Sequence, residues 1–85
     1  MRRLTKKERE ILTRVNRRRR KKYPEDELMV EYRTISVNEG GPKYFTVALV
    51  ETHTGEILLG ASKRNPIDKD TPSIGRNIAF RRAFQ

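Results

Sequence analysis

The segment KYFTVALVETHTGEILLGASKR, Lys43–Arg64, contains two runs with the alternating pattern of β-strands, separated by the turn letters THTG. Apolar residues recur at every second position in each run, as they do on one face of a strand. A connection this short predicts that the two strands are antiparallel neighbours. We expect their apolar face to form the core, with Phe45 and Ile57 buried. The residues of that face are Phe45, Val47, Leu49, Ile57, Leu59 and Ala61.

A further strand is predicted directly upstream, in the run LMVEYRTISV, which the turn-forming letters NEGGP connect to the first pair. Val30 and Tyr32 fall on one face of this strand. Ile35 and Val37 fall on the other, and such a phase shift predicts a β-bulge or strong twist between the two pairs. Residues 28–64 are therefore expected to form a three-stranded antiparallel meander.

A basic helix is predicted over residues 5–22, upstream of the sheet. Thr5 and Glu8 have the spacing of a capping box, in which each side chain bonds a backbone N–H at the other residue. Apolar residues then recur with helical period. The Tyr-Pro step after the basic run VNRRRRKK would end the helix, because proline disfavours the α region in the residue before it. We expect the first half of this helix to dock on the sheet and its last turns to project cations.

The C-terminal segment TPSIGRNIAFRRAF predicts a second helix over residues 72–84. Thr71 is expected to cap its N-terminus, with Pro72 at the first helical position. Together the elements predict an α+β fold with the order α-β-β-β-α and both helices packed on one face of the sheet. We expect a single domain over residues 1–85, with residues 1–4 frayed.

The excess of positive charge is confined to one segment. The 85 residues carry 20 Lys and Arg against 11 Asp and Glu, a net charge of +9. Residues 1–22 hold 12 of the cations and only two of the acids, so the rest of the chain is close to neutral. Such asymmetry predicts an anionic partner, first nucleic acid and then an acidic protein surface, although a solubilising tail would leave the same pattern. No membrane partner is expected, because the basic helix has too little apolar face to bury.

Composition disfavours several classes of protein. The chain has no cysteine, which predicts a reducing compartment that we expect to be the cytoplasm. No apolar run approaches the roughly 20 residues that span a bilayer, and the N-terminus lacks the apolar stretch of a signal peptide. His53, the single histidine, is expected in an exposed turn, and Asp68 and Asp70 have the pattern of turn and cap residues rather than metal ligands. Without a catalytic constellation, a P-loop or a dinucleotide fingerprint, we expect neither enzymatic activity nor a cofactor.

The stretch NEGGPKYFTVALVETHTGEILLGASKR, followed after a loop by SIGRNIAFRRAF, resembles a double-stranded-RNA-binding domain. That family has the same α-β-β-β-α order, a Gly-Pro loop between its first two strands and a small-residue run ending in Ser-Lys in its third strand. The resemblance covers residues 5–84 in topology and residues 40–64 closely in motif. It implies that the first helix and the Gly-Pro loop enter successive minor grooves, while cations starting the last helix grip the phosphates between them.

Carried over to this chain, the resemblance places Gly41-Pro42 in the minor-groove loop, with Lys43 and Tyr44 directly after it. Tyr44 stands where the family has a histidine. Arg76 is the one cation that aligns with the phosphate-gripping lysines of the family, since a proline and a serine occupy the other two positions.

The expected function is that of a small nucleic-acid-binding module that holds duplex RNA or DNA through backbone and shape contacts. The alternative is a protein-interaction module of the same fold that docks on and regulates a larger nucleic-acid-processing protein. The choice between RNA and DNA and the oligomeric state are open at this point. The expected contact residues are Arg14, Arg17, Arg18, Arg19, Arg20, Lys21, Lys22, Lys43, Tyr44, Arg76, Arg81 and Arg82.

Overall fold

The computed structural model describes residues 1–64 and 72–85. The fold is α+β, as predicted, with two α-helices and a sheet of four antiparallel strands in sequence order. The elements are β1 (Arg2–Arg3), α1 (Lys6–Arg17), a 3₁₀ turn (Glu25–Glu27), β2 (Met29–Asn38), β3 (Pro42–Glu51), β4 (Ile57–Arg64) and α2 (Pro72–Arg82).

The number of strands differs from the prediction, because the N-terminal residues are part of the sheet. Arg2 pairs with Val30 and Arg3 pairs with Met29, so that the predicted three-stranded meander gains a short edge strand. Two residues carry no periodicity that a sequence could reveal. The expectation that residues 1–4 are frayed is therefore wrong, and Leu4, which follows the strand, is buried.

Strand β2 runs without a bulge. Its pairing with β3 is continuous from Met29 opposite Glu51 to Asn38 opposite Pro42, so the bulge predicted from the phase shift is absent from the ladder. The apolar residues change faces instead: Val30 faces the helices and is buried, whereas Ile35 lies on the other face and is 47% exposed. The phase shift thus marks a strand whose first half carries apolar residues on the face toward the helices and whose second half carries them on the opposite face.

Two glycine-dependent turns connect the strands of the meander. Gly40 and Gly41, with φ of 66° and 113°, lie between β2 and β3. In the next turn Gly55 N–H donates to Thr52 O over 2.9 Å, and Thr52 N–H donates to Glu56 O over 2.9 Å. Gly55 has φ 83°, a left-handed conformation that is costly for residues with a Cβ. This is a three-residue hairpin loop that ends in a bulge.

Helix α1 begins as predicted and ends earlier. The capping box is formed, with Glu8 N–H donating to Thr5 Oγ1 over 3.3 Å and Thr5 N–H donating to Glu8 Oε1 over 2.8 Å. The helix stops at Arg17, five residues before the predicted end. Asn16 explains the difference, because its side chain accepts from Tyr23 N–H at 3.0 Å and donates to Tyr23 O at 2.9 Å. These two bonds fold the basic run into a loop.

The core lies between the helices and one face of the sheet. Leu12 of α1 and Phe80 of α2 belong to the same buried cluster as Val30 and Val50 of the sheet. Gly60 of β4 lets α2 approach closely, since a Cβ there would overlap the α2 backbone. We call this the inner face; it carries the even-numbered residues of β2, β3 and β4.

The strand face that we expected to form the core is the outer one. Phe45 is half-buried and Ile57 is 45% exposed, because the odd-numbered residues of the three long strands point away from both helices. The period of two was correctly read, but the choice of the buried face was wrong. Alternation alone does not identify the buried face when both faces carry apolar residues.

The predicted start of the last helix is found at Pro72, and the helix ends at Arg82 with Ala83 and Phe84 in a following turn. The predicted cap Thr71 and the acidic pair Asp68 and Asp70 lie outside the described residues. Within residues 1–64 and 72–85, neither helix has the length and apolarity needed to cross a membrane.

Candidate nucleic-acid interface

A basic groove of about 720 Å³ runs between α1 and α2 on the helix side of the molecule. Its walls carry six cations, its floor is apolar, and none of the described residues that line it is acidic. We call this the basic groove. Its cations are Lys7, Arg14, Arg17, Arg18, Arg19 and Arg81, and its apolar residues are Ile11, Val15, Ile78 and Phe84.

The spacing along α1 explains how one helix contributes both the wall and the floor. Lys7, Ile11, Arg14 and Arg18 are separated by three or four residues, so they follow one side of the helix. From Lys7 to Arg18 the axial rise is about 16 Å at 1.5 Å per residue. Such a row of cations matches the length of roughly five nucleotides of a strand at about 3.4 Å each.

The loop from residue 18 to residue 22 extends the basic surface beyond the end of α1. Arg19 is held in place, because its guanidinium donates to Phe84 O and lies 5.2 Å from the centre of the Tyr23 ring. A cation at this point also complements the negative end of the α2 dipole. Arg20, Lys21 and Lys22 are exposed. The loop thus has one anchored arginine and four cations that face solvent, because Arg18 is exposed as well.

The remaining predicted contact residues do not join the groove. Arg82 donates to Ala61 O over 3.0 Å at the edge of the sheet, unlike its neighbour Arg81 in the groove. Arg76 lies 5.6 Å from the centre of the Tyr32 ring, beside a separate small cleft.

Lys43 and Tyr44 are exposed near the β2–β3 turn. Tyr44 is six residues along β3 from Val50, which packs in the helix-covered core, and this corresponds to about 20 Å. The predicted set is therefore divided between five places: the basic groove, the loop after α1, the β2–β3 turn, the cleft beside Tyr32 and, for Arg82, the edge of the sheet.

Sequence reasoning missed Lys7 and the apolar floor. Lys7 precedes the conspicuous arginine run by ten residues, but it lies seven residues before Arg14 and therefore on the same side of the helix. A helical wheel would have shown this relation. Ile78 comes from α2 and Phe84 from the turn that follows it, and their approach to α1 depends on tertiary packing that no local pattern reports.

A second polar cluster anchors the N-terminus to the inner face. Glu8 is buried and accepts hydrogen bonds from the Arg2 guanidinium at 2.8 Å, from the Tyr32 hydroxyl and from Thr5 N–H. Burial by itself would raise the pKa of Glu8, but the bonds from Arg2, Thr5 and Tyr32 outweigh it and hold that pKa below its usual value. Burial and the adjacent carboxylate raise the pKa of Tyr32. The cluster is fully hydrogen-bonded and serves to hold β1 and α1 on the sheet.

The described residues bring no catalytic or metal-binding group together. Within residues 1–64 and 72–85, no three His, Cys, Asp or Glu side chains converge as ligands. His53 lies exposed in the β3–β4 turn, with Nδ1 3.5 Å from a carboxylate oxygen of Glu27.

Comparison with protein-family models, with curated proteins and with solved structures gave no match to this chain. The resemblance to double-stranded-RNA-binding domains therefore stays a prediction that rests on the residues quoted above.

Proposed function

We propose that this protein is a nucleic-acid-binding module that holds duplex RNA or DNA through phosphate and shape contacts. The observation that carries the proposal is the basic groove, in which six cations from two helices and a loop line one surface with no acidic residue among the described lining. Arginine side chains form strong bidentate hydrogen bonds to phosphates, and contacts to phosphates position a duplex without reading its sequence.

The hairpin tip is a candidate for a second contact. The molecule is 40 Å long. Lys43 and Tyr44 lie at one end of β3, and Phe84, which lines the basic groove, packs in the same core cluster as Val50 near the other end of that strand. A duplex-binding domain that reads shape contacts about 16 base pairs at separated minor grooves, which calls for an elongated protein with contacts at both ends. The Gly-Pro hairpin implied by the resemblance would supply the second of these contacts.

The salt dependence of binding tests the proposal. With roughly five phosphates engaged, log K against log[salt] on duplex DNA is expected to fall with a slope of about −4 to −5. Fluorescence anisotropy with duplex RNA, duplex DNA and single-stranded RNA at several salt concentrations measures both the slope and the preference. Absence of binding at low salt, or binding that does not respond to salt, would rule the proposal out.

A charge-matched pair of double variants tests whether the basic groove is the site. Arg14→Gln with Arg18→Gln removes two groove cations, whereas Lys6→Gln with Arg9→Gln removes two cations of α1 that do not line the groove. Both variants have the same net charge. The groove variant is expected to weaken binding more and to reduce the salt slope by about 2. Equal losses in the two variants would assign binding to the overall charge and not to the groove.

The apolar floor favours a second candidate, an acidic amphipathic segment of a protein partner. Such a helix would place its apolar side on Ile11, Val15, Ile78 and Phe84 and its carboxylates against the surrounding cations. Capture of partners from a nuclease-treated lysate separates the two candidates. A protein partner that is retained after nuclease treatment and lost in the Arg14→Gln, Arg18→Gln variant would support this second candidate.

A further inference from the structure

The outer face of the sheet is apolar and uncovered. Across β2, β3 and β4 it carries a contiguous set of apolar side chains, and no described element packs against it. Leu59, on the edge strand β4, is 62% exposed. Soluble monomers rarely expose a contiguous apolar surface larger than a few hundred Å² without a partner for it. The apolar residues of this outer face are Met29, Ile35, Val37, Phe45, Val47, Leu49, Ile57, Leu59 and Ala61.

Charge is polarised along the same face. Glu31 and Glu51 lie toward its end at the β3–β4 turn, and Lys43 and Lys63 lie toward its end at the β2–β3 turn. Arg33 lies between the two ends on β2, with its guanidinium 3.5 Å from a carboxylate oxygen of Glu31. On β3 the acidic and basic ends are eight residues apart, which is about 26 Å along the strand. The apolar surface thus has two carboxylates toward one end, two lysines toward the other end and one arginine between them.

We propose that the partner of this face is a second copy of this chain. A two-fold axis in the plane between the two sheets, perpendicular to the strands and midway between the rows of Leu59 and Ala61, places Glu31 over Arg33 of the other copy. It also places the row of Glu51 over the row of Lys63, so opposite charges meet at both contacts. The same operation sets the row that contains Leu59 against the row that contains the small Ala61, which gives the projecting side chain room. The pattern is therefore self-complementary in shape as well as in charge.

The distribution of the remaining charge is compatible with this pairing. The cations that dominate the net charge of +9 lie in α1, in its following loop and in α2, on the opposite side of the sheet. In the dimer the two basic grooves face outward and away from each other. This inference does not depend on the proposed function, because it uses only the outer face.

The size of the face sets the expected strength. Three strands at about 4.8 Å spacing and about 26 Å long give a footprint of roughly 14 × 26 Å on each copy. That area places the pair among small, reversible interfaces rather than obligate ones, so we expect dissociation constants of about 1–100 μM. The dimer therefore forms and dissociates within the concentration range of solution experiments.

Sedimentation velocity over about 1 μM to 1 mM tests the pairing, since this range brackets the expected dissociation constant. A concentration-dependent shift from monomer to dimer is the expected result, and a monomer throughout would overturn the proposal. Leu59→Glu is expected to raise the dissociation constant at least about tenfold, because it places a charge against the apolar surface of the other copy, opposite Ala61. The matched control Ile74→Glu changes a residue of α2 that is 48% exposed and should leave it nearly unchanged. Equal weakening by both variants would overturn the proposed location.

A charge exchange tests the antiparallel arrangement and the identity of the partner. Glu51→Lys alone and Lys63→Glu alone should each weaken the dimer several-fold, since each creates like-charge contacts at both ends. The double variant should recover most of the lost affinity, because it exchanges the two charges and so restores opposite charges across the interface. Failure of the double variant to recover dimerisation, with both single variants folded and weakened, would contradict the two-fold arrangement.

Discussion

Both faces of the sheet carry apolar residues, but the helices cover only one of them. On the inner face, Val30 and Val50 are fully buried beneath Leu12 and Phe80 of the helices. On the outer face, residues of comparable size, such as Leu59, are largely exposed. The difference is due to where the helices pack and not to the hydrophobicity of the strands. When both faces of a sheet carry apolar residues, either face can form the core, and in this fold the helices cover only one of them.

Two phenylalanines provide the strongest test of this difference. Phe80→Ala, at a fully buried side chain, should cost about 3–5 kcal/mol in the free energy of unfolding, whereas Phe45→Ala on the outer face should cost about 1 kcal/mol. Urea denaturation at low protein concentration, where the monomer is measured, gives both values. Because the loss at Phe80 approaches the total stability of a small domain, Phe80→Leu provides a milder second measurement. Equal costs at the two positions would mean that the inner face is misassigned.

Two glycines lie at the contact between the sheet and α2, one on each side, and replacing them by alanine should change stability in opposite directions. Gly60→Ala introduces a Cβ that overlaps the backbone of α2 and should destabilise the fold by about 1–3 kcal/mol. Gly75→Ala, within α2, places its Cβ at an ordinary 3.4 Å from Ser62 Oγ and should stabilise the helix by about 0.5–1 kcal/mol. Thermal unfolding of both variants measures the signs. Destabilisation by both would show that α2 packs too tightly for any added methyl group.

The polar cluster at Glu8 should make stability depend on pH at both extremes. The folded-state pKa of Glu8 is lowered, so its contribution is present above the unfolded value of about 4.3 and is lost as pH falls through the folded value. The pKa of Tyr32 is raised, so its contribution is lost as pH rises above about 10. Glu8→Gln should cost about 1–2 kcal/mol at pH 7 and much less near pH 3. A pH-independent cost, measured by urea denaturation across this range, would contradict the role assigned to the carboxylate.

The smallest expected effects distinguish the cations of the loop after α1. Arg20→Ala and Lys21→Ala, at exposed positions, should change stability by no more than about 0.5 kcal/mol. Arg19→Ala removes a hydrogen bond to Phe84 O and a contact with the Tyr23 ring, and should cost about 1 kcal/mol. Thermal melts separate the two classes. A large loss at Arg20 would mean that the loop, and not only its anchored arginine, is part of the packed structure.

Much of the candidate site could be predicted from the sequence, because charge is a local property. The basic run, the capping box at Thr5 and Glu8, and the start of α2 at Pro72 are readable from short patterns and are found in the structure. The end of α1 could not be predicted, since it depends on Asn16 bonding the backbone of Tyr23 seven residues away. These two hydrogen bonds form only after the chain has folded back and brought Tyr23 next to Asn16, so no local pattern predicts that they replace further helical turns.

The sequence by itself determined the α+β class, the three long antiparallel strands and the concentration of charge near the N-terminus. These follow from alternation, turn residues and composition, which act over a few neighbouring residues. Only the tertiary structure decided which face of the sheet is buried, that Arg2 and Arg3 form an edge strand, and that Lys7 shares a groove with Arg81. Each of these depends on contacts between residues that are distant in sequence. Their free energy comes from how the helices pack on the sheet, and local patterns do not record it.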